Sequence, residues 1–111
     1  MSIEITVLVE DVTADGDSTV RFSEHRKGSG YHLGDGTHTA VYRASDFEGV
    51  IVLQGTLESY PGEDDWADIS ETRLEGDGST LFNNTFFGNF VWIRAKYQID
   101  SGTIDQIVYS F

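Results

Sequence analysis

Carboxylates are the groups in this chain best placed to do chemistry. Nineteen Asp and Glu stand against seven Lys and Arg, three His and no Cys. Calcium takes about six to eight oxygens from a tight loop. Asp11, Thr13, Asp15 and Gly16 fall at the first, third, fifth and sixth places of such a loop, but Phe22 occupies the twelfth, where a bidentate Glu is needed. Glu63, Asp64, Asp65 and Asp68 form a denser cluster, and Asp77 lies in a third acidic turn. Solvated turn residues are the commoner reading of all three, with an adventitious cation site at one of them as the alternative. Paired carboxylates also serve glycoside hydrolysis, which needs a cleft between them. A small domain with two packed layers has little room for one.

The other reactive types give weaker patterns. His25, His32 and His38 are spaced seven and six residues apart, which matches no local ligand motif. Gly28-Ser29-Gly30 and Gly34-Asp35-Gly36 lack the Lys-Ser/Thr of a phosphate cradle. No Gly-x-Ser-x-Gly elbow is present. Tyr31, Tyr60, Trp66, Trp92 and Tyr97 could stack on sugars, with Tyr31 and Tyr60 in loops and Trp92 better suited to core packing. No catalytic residue, cofactor, cofactor-binding residue or metal ligand is expected, so the chain reads as non-enzymatic.

The formal net charge of −12 disfavours nucleic acid and anionic membranes, both of which attract Lys and Arg. It favours solubility and suits salty surroundings, where self-repulsion is screened. The N-terminal MSIEITVLVED shows no basic region followed by an apolar stretch, so no signal peptide is expected. Asn83-Asn84-Thr85 matches a glycosylation sequon, which without a secretory signal reads as coincidence. The lack of cysteine fits assembly in a reducing cytoplasm.

The elements that must position these residues are strands. One proline, twelve glycines and no amphipathic helical period point to an all-β chain. The stretch Phe47–Trp66 organises it: Val50–Leu53 reads as buried on both faces, then Gln54, Thr56 and Glu58 alternate with Gly55 and Leu57. Pro61-Gly62 turns the chain. Ile3, Ile5, Val7 and Val9 predict a half-buried first strand, with Leu8 alone on the outer parity. A short strand with Val20 and Phe22 inward follows. Thr37–Arg43, a kinked Trp66–Leu74, Leu81–Phe87 with an irregular middle at Asn83-Asn84, and Gly88–Tyr97 come next. In the last of these Val91, Ile93, Ala95 and Tyr97 share one face, and Phe90, Trp92, Arg94 and Lys96 the other. Glu75–Gly78 and Ser101-Gly102-Thr103 read as turns, the second leading into Ile104–Phe111. About eight or nine strands with regular turns predict a single domain, residues 1–111, folded as an antiparallel, jelly-roll-like β-sandwich. Ser23–Gly36 is the irregular, partner-facing loop.

Beyond these patterns, several segments carry a likeness. His38–Tyr42, Phe47-x-Gly49, Gln54–Glu58, Pro61, Asp65-Trp66, GNFVWIRA at Gly88–Ala95 and Ser101–Ile104 with Ile107 and Tyr109 resemble a small structural module of tailed phages of marine bacteria and cyanobacteria. The likeness spans Tyr31 to Phe111. It implies a virion component (capsid decoration, neck, tail or fibre) assembled in the host cytoplasm. Its partners would be other virion proteins and further copies of itself, with a trimer as one form. Ser23–Gly36, Phe86-Phe87 and Phe90 are the expected contact surfaces. The alternative is a carbohydrate-binding or host-adhesion module using Tyr31, Tyr60 or Trp66.

Overall fold

The computed structural model describes residues 5–28 and 36–110. Seven strands form it: β1 (Ile5–Thr13), β2 (Arg21–Phe22), β3 (Arg26–Lys27), β4 (Thr37–Thr56), β5 (Ala67–Asp68), β6 (Leu74–Phe87) and β7 (Trp92–Ser110). Two single 3-10 turns, Glu63–Asp65 and Ser70–Thr72, flank β5. The all-β, antiparallel expectation is met. All seven strands belong to one open sheet, however, rather than the two separate sheets of a sandwich or jelly roll. β4 and β7 pair along nearly their whole lengths as its spine. β1, β2 and β3 line the outer edge of β7, and β6 and β5 line the outer edge of β4.

The difference arises where turns were expected. Ser101-Gly102-Thr103 does not reverse the chain, nor does Glu75–Gly78; both segments run on inside strands. The stretches Thr37–Arg43 and Gly49–Thr56 likewise join into one strand of 20 residues. The join is a bulge, with register shifts between Ser45 and Gly49 against β7. Asp46 has φ 49° and Gly102 φ 82° at this place, the left-handed values that let a bulge bend its strand. Ser45 pairs with Thr103, Phe47 with Gly78 and Gly49 with Gly76, so a crease crosses the sheet along these residues.

Folding at the crease lets one sheet bury its own inner face. From one half come Ala40, Tyr42, Phe86, Ile104, Ile107 and Tyr109; from the other come Ile51, Leu53, Ile93, Ala95, Tyr97 and Ile99. Phe47, fully buried, sits on the crease. Tyr42 donates to the Thr72 carbonyl at 2.7 Å, and the Thr72 hydroxyl receives the Leu53 amide at 2.9 Å, tying the two halves of β4 together.

Other expectations change for local reasons. A bulge between Val7 and Val9 turns Ile5 and Val7 outward and brings Leu8 and Val12 against the core. Arg21 pairs with Tyr97, while Val20 and Phe22 stay largely exposed rather than inward. β4 ends at Thr56, so Leu57 is exposed. Trp66–Leu74 is mostly 3-10 turn and short β5 rather than one kinked strand.

Candidate interaction surface

The acidic turns stay apart. Asp15 and Asp17 organise their own loop: the Asp17 amide donates to Asp15, Arg21 pairs with Asp15 at 2.9 Å, and the Thr19 amide donates to Asp17. Asp65 accepts the Gly62 amide at 2.7 Å. Among the described residues no group of acids or histidines is arranged to hold a metal ion. The histidines are separated as well. His38 is buried on the inner face, stacked on Phe86 with ring centres 4.7 Å apart. His25 is on the outside, edge-on to Trp92 at 4.8 Å. Tyr31, His32 and most of both glycine-rich segments lie outside the described residues.

The densest polar cluster sits on the outer face of the crease-to-Thr56 half, and patterning missed its centre. Arg94 was expected on a half-wet strand end, yet it is only 8% exposed. Its guanidinium lies 4.2 Å from the Phe22 ring centre and 4.4 Å from that of Trp66. Its Nε donates to Gln54 at 2.8 Å, and Gln54 donates to Asp68 at 2.8 Å. Lys96 reaches Asp68 at 3.6 Å, extending this chain of polar side chains. Glu63 stands 4.0 Å from Arg94 and offsets part of the downward shift that burial imposes on its pKa. Trp92 donates to the Ser59 carbonyl at 3.0 Å, pinning the 57–66 segment over this face. The arrangement locks two loops onto the sheet. It also occupies a face of Trp66, leaving the 96%-exposed Tyr60 as the open aromatic platform among the described residues of those expected.

The other half of the outer face has a different character. Strand register sets out its rows. Ile5, Ser110, Thr39 and Thr85 form one. Val7, Val108, Val41 and Asn83 form the next. Thr37 and Phe87 end the surface on one side, and Glu10, Gln106, Arg43 and Leu81 on the other. Ile5, Leu81 and Phe87 are 67%, 63% and 73% exposed. The first two rows and the Thr37–Phe87 pair hold ten residues without a charge, although 23% of the chain is charged. At ordinary strand spacing the surface measures on the order of 400 Å². That is the size of a functional patch on a monomer and about half of one partner's share in a stable interface. Phe87 was anticipated as a contact residue and lies here. Phe86 is instead fully buried, and Phe90 is packed over Gly55 and Gly88.

A pocket beside the Arg94 cluster, lined by Val20, Val50, Val52, Arg73, Lys96 and Gln98, holds about 220 Å³. Its two cations are already engaged, Arg73 with Glu75 at 2.9 Å and Lys96 with Asp68.

Comparison with protein-family models, with curated proteins and with solved structures finds no match to this chain.

Proposed function

We propose that this chain is a non-enzymatic structural protein of a tailed-phage virion, acting through protein–protein contacts as a capsid decoration, neck, tail or fibre component. The observation that carries the reading is the uncharged outer face around Val41 and Val108. A chain with a net charge of −12 keeps carboxylates off ten adjacent surface positions there and exposes Ile5 and Phe87 among them, with Leu81 exposed at their border. Apolar side chains left in water on one sheet face are stabilised when a partner covers them. The resemblance of Gly88–Ala95 and its neighbouring segments to phage structural modules supports the same reading, and it makes other virion proteins and further copies the partners. Mass spectrometry of purified virions should find the chain at a fixed copy number per particle. Its absence from washed particles would overturn the assignment.

A second reading, a host-adhesion module binding carbohydrate, is favoured by Tyr60, whose ring stands free on a loop fixed by Trp66 and Trp92. A glycan array with wild type and Tyr60→Ala tests it. Binding lost in the variant supports it, and no binding by wild type removes it.

A further inference from the structure

The lateral edge of β6 is built unlike a protected edge. Among the described residues β6 has only β4 as a sheet neighbour. Natural edge strands carry charges, prolines or bulges that discourage pairing. From Gly78 to Ile93 the sequence has no charge and no proline, and the ladder from Leu81 to Phe87 runs in unbroken register. Midway along it, opposite Ala40, the Asn84 Oδ1 is buried and receives no hydrogen bond. A buried acceptor without a donor lowers stability until something supplies one.

We propose that β6 pairs antiparallel with β6 of a second copy across a two-fold axis centred on Asn84. This rests on the reading of the chain as an assembling subunit and names its first contact. In a two-fold edge pair, residues opposite each other must share a face. Centring on Asn84 sets Asn84 against Asn84, Asn83 against Thr85, Phe82 against Phe86, and Leu81 against Phe87. Pairing sets the two Asn84 amides side by side, and a turn of each amide toward the axis brings its oxygen, buried in the single chain, to the N–H donor of its twin. The exposed Leu81 and Phe87 cover each other, as cross-strand neighbours do. Moving the centre to Asn83 would place Asn84 against Phe82 and leave its oxygen unmet.

The occupant is a second copy because the strand is complementary to itself and because it keeps charge away from the axis. Two chains of net charge −12 repel wherever their acids approach. Pairing here also joins the two uncharged outer faces into one surface of about 800 Å², the share of one partner in a standard interface. The dimer would thus have the area to bind a further virion protein that a single copy lacks.

The chain has no cysteine, so a single introduced thiol reports the contact. Directly opposed residues in an antiparallel pair have Cα atoms about 4.5–5.5 Å apart, within disulfide range. Asn84→Cys should form a covalent dimer under mild oxidation. Thr39→Cys, exposed on the next strand and roughly three strand spacings from its twin, should not. Light scattering of the native chain should give a dimer mass, and Leu81→Lys with Phe87→Lys should give a monomer with an unchanged circular dichroism spectrum. A native dimer in which Cys at both positions cross-links equally poorly overturns the β6 pairing and leaves self-association standing. A native monomer at millimolar concentration overturns both the pairing and the dimer. Presence in the virion is read separately by mass spectrometry.

Discussion

The Tyr109 hydroxyl donates to the Lys27 carbonyl at 2.6 Å. Lys27 is paired with Trp92, at the opposite end of the strand that carries Tyr109. A straight strand from Trp92 to Tyr109 would be roughly 56 Å long. The whole molecule measures 39 Å along its longest axis. The bond therefore closes a sheet bent back on itself, and it spans the core rather than one layer. Burial raises the Tyr109 pKa above the ordinary tyrosine value, the Thr6 hydrogen bond and Arg26 opposing it. Tyr109→Phe leaves the ring in place and removes the donor. It should cost about 1–2 kcal/mol, read from urea unfolding, with the midpoint lowered and the slope unchanged.

The crease itself rests on glycine. At Gly102, φ is 82° and an added Cβ would overlap the Asp46 carbonyl, with the Ser45 carbonyl 2.6 Å away. These are backbone atoms of the neighbouring strand and cannot swing aside. Gly16 has nearly the same φ, 89°, but open space around it. Gly16→Ala should therefore cost only the left-handed strain, about 1–2 kcal/mol. Gly102→Ala should cost roughly 1–3 kcal/mol more, because strand separation is added to strain. Equal losses in thermal unfolding of the two variants would mean that the crease tolerates the extra atom.

Much of this fold was legible in side-chain alternation, and the crease was not. Ile93, Ala95 and Tyr97 face the core as their spacing requires, and Ile51, Val52 and Leu53 are buried on both faces as a run of apolar residues implies. Alternation has a period of two, so one inserted residue inverts the facing of the rest of its strand. The bulge at Leu8 did this, and it moved Ile5 and Val7 from the expected core to the outer face that became the candidate interaction surface. Glycine carried a second ambiguity. Gly76, Gly78 and Gly102 signal a turn equally well whether the chain reverses or a strand merely bends. Phe87 was recognisable as a contact residue because it is apolar at a strand end. Arg94 was not, since nothing in its own segment reveals that Phe22 and Trp66 will close over it.

Arg94 also gives a direct test of how the outer loops are held. Its planar guanidinium lies against two rings while its Nε bonds Gln54. An ammonium can neither stack in the same way nor reach Gln54 with a fixed fork. Arg94→Lys should lose about 1.5–3 kcal/mol from the charged hydrogen bond and the desolvated ring contacts. Tryptophan emission should shift to the red as Trp66 gains water. A variant with wild-type emission and stability would show that the 57–66 loop is held by Trp92 and Ser59 alone.

The excess of acid makes salt a stabiliser. Nineteen carboxylates on a chain of 111 residues repel one another in the compact state. At about 0.1 M ionic strength screening acts beyond roughly 10 Å, and at 1 M beyond about 3 Å. The melting temperature should rise as sodium chloride increases through this range, and the rise should be matched by potassium chloride. A flat or falling curve would mean that attractive surface pairs such as Arg21–Asp15 and Arg73–Glu75 outweigh the repulsion.

The loop after β1 gives acid sensitivity a defined direction. Asp17 accepts the Thr19 hydroxyl and amide, and Asp15 accepts the Asp17 amide and pairs with Arg21. Both carboxyls are lowered from the ordinary aspartate value of about 3.9. A lowered folded pKa contributes stability above the unfolded value and loses it as pH falls through the folded one. Asp17→Asn should therefore be less stable than wild type at neutral pH. The gap should begin to narrow as pH falls through the unfolded value of about 4 and close only below the lowered folded pKa, where Asp17 is protonated and uncharged like Asn. Carboxyl carbon shifts followed by NMR should place the Asp15 and Asp17 midpoints below the ordinary aspartate value. Midpoints at or above the ordinary value would show that the loop hydrogen bonds do not hold these carboxylates in solution.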